Sequence, residues 1–293
     1  MRIVVASGKG GTGKTTIATS LALALTDRPI LLRDCDVEAP NAHLVLSPQL
    51  TAREEVSQLI PSVVETRCTG CGRCAEVCRF HAIAVLGGRV LVFPELCHSC
   101  GSCVNNCPEV ALDEQPRVIG VLEAGLVPNG PAFAHGVLNV GEPMAGPLIR
   151  RLKGWEFSHP VGGGVSADPV EILDAPPGTS CPVVETLRGC DYALLVSEPT
   201  PFGLHDLRLM VEVVRALAIP AAVIINRDMP NNRDLERFCR VSQLPVLMRI
   251  PLDRGIGSAL ARGQSLVAVR PEYGEAFRGV FAHIQQTVHG GVP

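Results

Sequence analysis

Lysine is the residue that this chain most clearly lacks. Its 293 residues carry 26 basic side chains, and only three of them, Lys9, Lys14 and Lys153, are lysines. No run of basic residues is dense enough to predict a nucleic-acid surface, and a formal net charge of −3 provides no attraction for one. We therefore expect no nucleic-acid partner. Where lysine is kept among so many arginines, we expect a compact ammonium to be required in place of a planar guanidinium.

Long hydrophobic runs are absent as well. No apolar stretch approaches the roughly 20 residues that a membrane-spanning helix needs. Met1 to Ser7 leads straight into a strand pattern, not into a charged leader. The last helical pattern, Glu275 to Val288, carries an apolar stripe that is typical of a helix packed on a core. We expect a cytoplasmic protein with no membrane insertion.

Cysteine, by contrast, is abundant, with 12 residues. Eight of them lie between Cys68 and Cys107. A disulfide framework is typical of short secreted chains, whereas clustered cysteines in a cytosolic chain indicate metal. Of the remaining four, Cys35, Cys190 and Cys239 have the pattern of core or strand-end residues.

The eight clustered cysteines form the pattern CxxCxxCxxxC twice. This run resembles that of bacterial ferredoxins, in which the fourth cysteine of each run ligates the other [4Fe–4S] cluster. The resemblance implies one cluster on Cys68, Cys71, Cys74 and Cys107, and a second on Cys97, Cys100, Cys103 and Cys78. A single zinc ion is the alternative, although two CxxC pairs would satisfy it and two complete runs exceed that need. One departure is that Arg79, not proline, follows Cys78.

Outside the cysteine block, the pattern is that of alternating strands and helices. Arg2 to Ala6 is an apolar run, followed by a glycine-rich turn and a helical stretch, Lys14 to Leu25. Apolar strands separated by helices predict a parallel sheet covered on both faces. The further predicted strands are Ile30 to Leu32, Val170 to Leu173, Tyr192 to Val196, Ala221 to Ile225 and Val246 to Ile250, with helices at Leu204 to Leu217 and Arg233 to Val241.

The cysteine block interrupts this α/β pattern. We predict an inserted α+β domain at 63–112 within one sheet-forming domain made of 1–62 and 113–293, because the sheet pattern starts before the block and resumes after it. Val118 to Val140 carries short runs spaced like antiparallel hairpin strands. The glycine-rich stretch Gly154 to Ala167 predicts a mobile loop.

A phosphate-binding motif opens the chain. Gly8 to Thr15 matches GxxxxGK[ST] after a strand and before a helix, which is the context that such a loop requires. Lys14 is expected to bridge the β- and γ-phosphates, and Thr15 to ligate Mg²⁺. The alternative is a glycine-rich turn that binds nothing. The expected nucleotide-binding residues of the loop are Gly8, Gly10, Gly11, Thr12, Gly13, Lys14, Thr15 and Thr16.

The sequence GKGGTGKT resembles the deviant Walker A motif of the MinD, ParA, Mrp and nitrogenase iron protein group of P-loop ATPases. The resemblance implies that Lys9 crosses a dimer interface to the partner's nucleotide. It further implies that Asp36 orients the attacking water, that Asp174 holds Mg²⁺ through water and that Asn226 reads adenine. Asp34 is expected to be structural, with a role at Mg²⁺ left open. Cys181 is either a ligand of a dimer-bridging cluster or a small apolar loop residue.

Taken along its whole length, the chain is similar to P-loop ATPases that carry an inserted ferredoxin domain. The resemblance implies ATP or ADP, Mg²⁺ and two [4Fe–4S] clusters, an ATP-dependent homodimer, and hydrolysis that is slow without a partner. The first expectation for function is nucleotide-gated electron transfer to a redox protein. Two alternatives remain: an Mrp-type carrier or assembly ATPase for iron–sulfur or metal-cofactor proteins, and a positioning ATPase similar to MinD or ParA.

Overall fold

The computed structural model describes residues 1–157, 169–229 and 233–290. Most of the loop predicted at Gly154 to Ala167 lies outside these residues. The strands are β1 (Arg2–Ala6), β2 (Ile30–Asp34), β3 (Gln49–Val63), β4 (Ile83–Leu86), β5 (Arg89–Val92), β6 (Leu112–Leu126), β7 (Ala132–Leu138), β8 (Val170–Asp174), β9 (Tyr192–Ser197), β10 (Ala221–Asp228) and β11 (Val246–Pro251). The helices are α1 (Lys14–Ala24), α2 (Ala42–Leu46), α3 (Arg73–Val77), α4 (Ser102–Asn105), α5 (Gly146–Lys153), α6 (Cys181–Leu187), α7 (Pro201–Ala216), α8 (Arg233–Val241), α9 (Arg254–Leu260), α10 (Leu266–Val269) and α11 (Glu272–His289).

In the described part of the chain, nine strands form one sheet in the order β11-β10-β9-β1-β8-β2-β7-β6-β3. The seven strands from β11 to β7 run parallel, and β6 and β3 add to one edge in antiparallel fashion. The central strands are continuous apolar runs because helices cover both of their faces. This confirms the predicted α/β class, the six predicted parallel strands and the antiparallel pair β6–β7.

Two apolar cores lie on opposite faces of the sheet. One packs α5, α6, α7 and α8 against it, and the other packs α1, α10 and α11. The stripe of α11 packs on the second core, as predicted from its spacing: Phe277, Val280, Phe281 and Ile284 are buried, and Val288 at its end is partly buried. No helix within residues 1–157, 169–229 and 233–290 is long and apolar enough to cross a membrane.

The two antiparallel edge strands form a long ribbon, which we call the arm (residues 49–63 and 112–126). They pair with each other from Gln49 opposite Leu126 to Val63 opposite Leu112, whereas only Gly120 to Leu126 also pairs with β7. The far half of the arm therefore projects beyond the sheet. The sequence did not predict β3, because an edge strand with a solvated face carries charged residues and a proline in place of an apolar run.

The arm ends in the cysteine-rich segment, which we call the cysteine module (residues 64–111). It contains the short helices α3 and α4 and the hairpin β4–β5. Its buried apolar core is small: Cys74, Ile83 and Cys103 of the module cluster with Leu112 at the end of the arm. The predicted insertion, 63–112, starts and ends at the last residue pair of the arm. The likeness of this segment to ferredoxins stays a prediction.

The third lysine has a structural role that explains why it is not arginine. Lys153 is buried, and its Nζ donates hydrogen bonds to the backbone oxygens of Glu185 at 2.7 Å, Thr186 at 2.9 Å and Arg188 at 2.5 Å. These carbonyls lie at the carboxyl end of α6, where helix carbonyls lack partners and cations are favoured. Three donors on one compact ammonium match three converging acceptors.

We expect Lys153→Met to lower the free energy of unfolding by about 2 to 3 kcal/mol, because it leaves buried carbonyl groups without donors. Arg151→Met on the same helix is the control, since Arg151 is half exposed and pairs with Glu54 on the surface. We expect it to lose less than about 1 kcal/mol. Urea unfolding of both variants measures the difference, and equal losses would contradict the capping role.

Candidate functional site

The glycine-rich loop lies at the carboxyl edge of the sheet, between β1 and α1. Gly11 and Gly13 adopt positive φ angles of 77° and 93°, which favour glycine. A Cβ atom on Gly13 would lie 2.3 Å from Nδ2 of Asn226. The loop opens on a cleft of about 390 Å³. Of the predicted site residues, the cleft is lined by Gly10, Gly11, Gly13, Lys14, Thr15, Thr16, Asp36 and Asn226.

Two predicted loop residues do not line the cleft. Gly8 packs against α7, where an added Cβ would approach the Asp206 backbone oxygen at 2.5 Å. Thr12 is buried, and its backbone oxygen accepts a hydrogen bond from Nδ2 of Asn226 at 2.7 Å. Both residues therefore shape the loop from behind, because their close packing fixes where the neighbouring amides point.

A buried carboxylate without a hydrogen-bond partner lies beside the loop. Neither side-chain oxygen of Asp174 has such a partner among the described residues. Burial raises the pKa of this carboxyl well above its usual value, the charge of Asp34 adds to the rise, and Thr15 and Lys14 partly offset it. Burial in turn lowers the pKa of Lys14, against the pull of the nearby carboxylates. Such a carboxylate is suited to a cation that the neighbouring Thr15 hydroxyl would share.

The two aspartates at the carboxyl end of β2, Asp34 within the strand and Asp36 just after it, differ in their surroundings. Asp34 is fully buried, and its carboxylate accepts hydrogen bonds from the backbone N–H groups of Asp36, Asn41 and Ala42 at 3.1, 2.9 and 3.0 Å. Burial raises its pKa to about 6, against these three bonds. Asp34 thus holds the turn that leads into α2, in agreement with the structural role expected. Asp36 is half-buried and faces the cleft. Burial raises the pKa of its carboxyl, and the nearby Lys14 ammonium offsets part of the rise.

Lys9 is held within its own chain. Its Nζ lies 3.2 Å from Oε2 of Glu198, a buried carboxylate whose Oε1 also accepts from Arg227 at 2.6 Å. Arg227 lines the cleft and has a positive φ of 53°. One carboxylate therefore joins the lysine of the loop to an arginine at the rim of the cleft. A lysine that acts on another subunit would first have to leave Glu198.

Asn226 makes contacts on both sides of its amide. Its Nδ2 donates to the loop at Thr12, and its Oδ1 accepts from the backbone N–H of Arg227 at 3.0 Å. One N–H of the amide remains for a ligand in the cleft. The prediction that Asn226 reads adenine is compatible with this position and stays a prediction.

The eight clustered cysteines line two separate small cavities, each of about 20 Å³. Each cavity combines three cysteines of one run with the last cysteine of the other run. The first is lined by Cys68, Cys71, Cys74 and Cys107, and the second by Cys97, Cys100, Cys103 and Cys78. The fold thus brings together the two sets that the ferredoxin resemblance implied.

The two runs repeat each other in backbone conformation as well as in sequence. Positive φ angles recur 29 residues apart, at Gly72 and Gly101, at Gly70 and Ser99 and at His81 and Val110. Backbone N–H groups donate to sulfur in the same way: Ala82 to Sγ of Cys78 and Ala111 to Sγ of Cys107, both at 3.3 Å. Such bonds stabilise a thiolate.

The cysteine side chains surround each cavity and do not converge on a point. In residues 1–157, 169–229 and 233–290, no three His, Cys, Asp or Glu side chains are grouped as ligands of one metal ion. Cys181, outside the module, is exposed at the first turn of α6. It therefore begins a helix and does not lie in a loop, and its role as a cluster ligand stays a prediction. Cys35, Cys190 and Cys239 are buried in the first core, as predicted.

The model of the CobQ/CobB/MinD/ParA nucleotide-binding domain matches residues 3–267. The chain belongs to this family. It is 31% identical over 233 residues to the uncharacterized protein MJ0578 of Methanocaldococcus jannaschii, across 79% of this chain and 80% of the other. It is also 24% identical over 292 residues to an iron-sulfur cluster carrier protein of a Synechocystis species, across 94% of this chain and 66% of that one.

Among solved structures, the fold of this family member is similar to that of the septum site-determining protein MinD of Pyrococcus horikoshii, which was solved with Mg-ADP. The TM-score is 0.53 with 19% identity, across 97% of this chain and 96% of the other. At that identity, the likeness bears on the fold alone. The family match is what assigns the cleft beside the glycine-rich loop to a nucleotide-binding domain.

Two charged residues of the site were not predicted from the sequence, and the contribution of one loop to the cleft was predicted only weakly. Glu198 and Arg227 form the charged link to Lys9, but each follows or ends a buried strand without a motif of its own. Residues 250–260 form one wall of the cleft, although their sequence resembles the family only loosely. Their one local signal was Asp253, whose carboxylate caps α9 by accepting from the N–H groups of Gly255 and Ile256.

We expect Asp174→Asn to raise the Tm of the nucleotide-free protein and to abolish the stabilisation that MgATP adds. Because the pKa of Asp174 is raised, the folded state keeps a proton that the unfolded chain has released. The stabilisation that Asp174 contributes therefore falls as the pH rises toward the pKa of its carboxyl in the folded state. The neutral amide of asparagine does not titrate, so the variant avoids this loss of stability. Thermal unfolding at pH 6 and pH 8, with and without MgATP, measures both effects.

Asp234→Asn, on the exposed face of α8, serves as the control for this exchange. We expect it to leave the MgATP response intact. An Asp174→Asn variant that still gained Tm with MgATP, to the extent of the wild-type protein, would contradict the cation site.

Proposed function

We propose that the protein binds and hydrolyses ATP as a dimer and couples this cycle to electron transfer through two [4Fe–4S] clusters in the cysteine module. The observation that carries the proposal is that one chain joins a nucleotide cleft to two cavities of four cysteines, each with one cysteine exchanged between the runs. A continuous pair of strands, the arm, connects the two sites.

The nucleotide half of the proposal rests on the charges around the loop. Mg²⁺ fits beside the unpartnered carboxylate of Asp174, with the Thr15 hydroxyl as a ligand, and when bound it neutralises phosphate charge. Lys14 lies at the start of α1, where its ammonium and the helix amides favour phosphate. Asp36 faces the same cleft and is placed to orient water.

The cluster half rests on donor chemistry and on the size of the module. Eight thiols in two sets of four fit two cubanes, because each iron takes one thiolate and the four sulfurs then surround a space. A segment of about 50 residues with so small an apolar core needs an additional stabilising element, such as a bound metal centre, in order to fold. When bound, a [4Fe–4S] cluster supplies one-electron redox chemistry. The backbone donors to Cys78 and Cys107 would hold its thiolates.

A carrier of iron–sulfur clusters is the second candidate. Two observations favour it: the similarity to a protein named as an iron-sulfur cluster carrier, and the exposure of one cysteine in each set, Cys71 and Cys100. The complete set of four ligands for each cavity favours retention and hence electron transfer. Incubation with an apo-ferredoxin acceptor separates the two, since a carrier loses its iron to the acceptor and an electron-transfer protein keeps it.

Paired cysteine substitutions test the crossed ligand sets. In Cys78→Ala/Cys97→Ala both changes lie in one cavity, so we expect about four of about eight irons per chain to remain after anaerobic reconstitution. In Cys68→Ala/Cys78→Ala the changes lie in one run but in different cavities, so we expect both clusters to be lost or damaged. Iron analysis and EPR of the reduced proteins give the counts.

The buried pair Cys35→Ala/Cys239→Ala, outside the module, should keep all the iron. If the two test variants gave the reverse order of iron loss, each run would hold its own cluster. Wild-type protein with far fewer than about eight irons would overturn the cluster proposal.

We expect Lys9→Ala to bind MgATP but to stay monomeric, and to hydrolyse ATP at least about 10²-fold more slowly, because the charge supplied to the partner's nucleotide is lost. Light scattering after size exclusion, with a slowly hydrolysed ATP analogue, measures the dimer. Arg278→Ala, on the exposed side of α11, is the control. A Lys9→Ala protein that dimerised and turned over normally would refute the assignment.

A further inference from the structure

Five ionisable side chains stand in register across five neighbouring strands. Asp174 on β8 lies opposite Asp34 on β2, and Asp34 lies opposite His135 on β7. His135 lies opposite Glu123 on β6, which lies opposite Arg53 on β3. Because residues in register share a face of the sheet, this charged row leads from the nucleotide cleft to the arm.

The arm end of the charged row is joined by direct bonds. His135 is buried, and its Nε2 lies 3.0 Å from Oε2 of Glu123, while Oε1 of Glu123 accepts from Arg53. Because a carboxylate only accepts hydrogen bonds, Nε2 of His135 carries the hydrogen that lies between the two groups, and burial lowers the pKa of the ring. The ring of Phe133 packs edge-on against His135 at 5.3 Å between centroids. His135 is thus fixed to the arm strand β6 on one side.

On the cleft side, His135 meets an element that follows the nucleotide-binding turn. Asp36 and Asn41 both line the cleft, and Asp34 binds the backbone of both, and of Ala42, where α2 begins. The next residue, His43, lays its ring edge-on against His135 at 5.2 Å and 75°. The turn of residues 36–41 and the helix α2 are therefore tied together by one carboxylate.

The contact between the two histidine rings has no hydrogen bond to lock it. Within the described chain, Nδ1 of His43 and Nδ1 of His135 are both buried and lack hydrogen-bond partners. A buried ring nitrogen without a partner leaves room for a second arrangement that satisfies it. An element with two arrangements is what coupling between distant sites requires.

We propose that ligand-driven movement of the turn 36–41 passes through the contact of His43 with His135 to Glu123 and the arm. His43 and His135 are then positioning residues that connect the nucleotide cleft to the cysteine module. This inference rests on the proposed function, because it presumes that the cleft takes a nucleotide. It adds the route by which that nucleotide acts on the module.

Hydrogen–deuterium exchange of the anaerobically reconstituted protein tests this route without any redox readout. Exchange in the peptides of 49–63 and 112–126 is compared without nucleotide, with MgADP and with a slowly hydrolysed MgATP analogue. In the wild-type protein we expect the analogue to change arm exchange by at least about threefold relative to MgADP. In His43→Ala we expect that change to fall to less than about half, with Kd for the analogue within about twofold of wild type.

Two further variants keep the outcome interpretable. His283→Ala removes a half-buried helical histidine of α11 and should behave as wild type. Glu123→Gln weakens the arm end of the row without altering α2, and it should lose the response as His43→Ala does. If wild-type protein bound the analogue and its arm did not respond, or if His43→Ala kept the full response, the route would be wrong and the proposed function would stand. If wild-type protein bound no nucleotide, the proposed function itself would fail.

Discussion

The crowding of carboxylates at the carboxyl edge of the sheet is the constraint on which the rest of the site depends. Asp174 and Asp34 lie side by side on neighbouring strands in the interior, and Asp36 follows close behind. Within the described chain, Lys14 is the one buried cation whose pKa these three carboxylates affect. Ionising all three carboxyl groups beside a single ammonium is costly in a low-dielectric interior, and burial raises the pKa of each of them. A divalent cation brought in with a nucleotide would relieve that cost.

This imbalance also explains why a nucleotide would change the structure around it. The desolvation of the Asp34 carboxylate is compensated because it accepts three backbone hydrogen bonds from the turn that ends at α2. The Asp174 carboxylate accepts no hydrogen bond of this kind from the described residues. Any ligand that completes Asp174 alters the field at Asp34, and with it the turn. The site is therefore built so that binding and local conformation are linked.

The arm gives this local change a physical connection to the cysteine module. Its two strands begin within the main sheet, beside β7, and end at the residue pair from which the module hangs. A flexible linker would leave the two sites to move independently. A ladder of paired strands carries displacement along its length, because its hydrogen bonds fix the register between the strands. The same strands explain how an insertion of this size is tolerated in a nucleotide-binding fold.

Much of this architecture could be predicted from the sequence, and the failures have physical causes. The parallel strands were predictable because strands buried on both faces are apolar throughout, and the loop because its glycines and Lys14 follow a strand. The crossed cysteine sets came from the resemblance of the repeated run to that of bacterial ferredoxins. The strand β3 was missed because solvent on one face allows charged residues. Glu198, Arg227 and His135 were missed because their roles come from contacts between segments far apart in the chain, which no local pattern records.

The central claim is that nucleotide binding in the cleft is coupled to the redox chemistry of the iron–sulfur centres. It is tested most directly by the reduction potentials of the two clusters, measured by anaerobic EPR titration without nucleotide, with MgADP and with a slowly hydrolysed MgATP analogue. The account predicts that at least one potential shifts between the MgADP and the MgATP-analogue states. Identical potentials in all three states, in protein shown to bind the nucleotides and to hold both clusters, would contradict it.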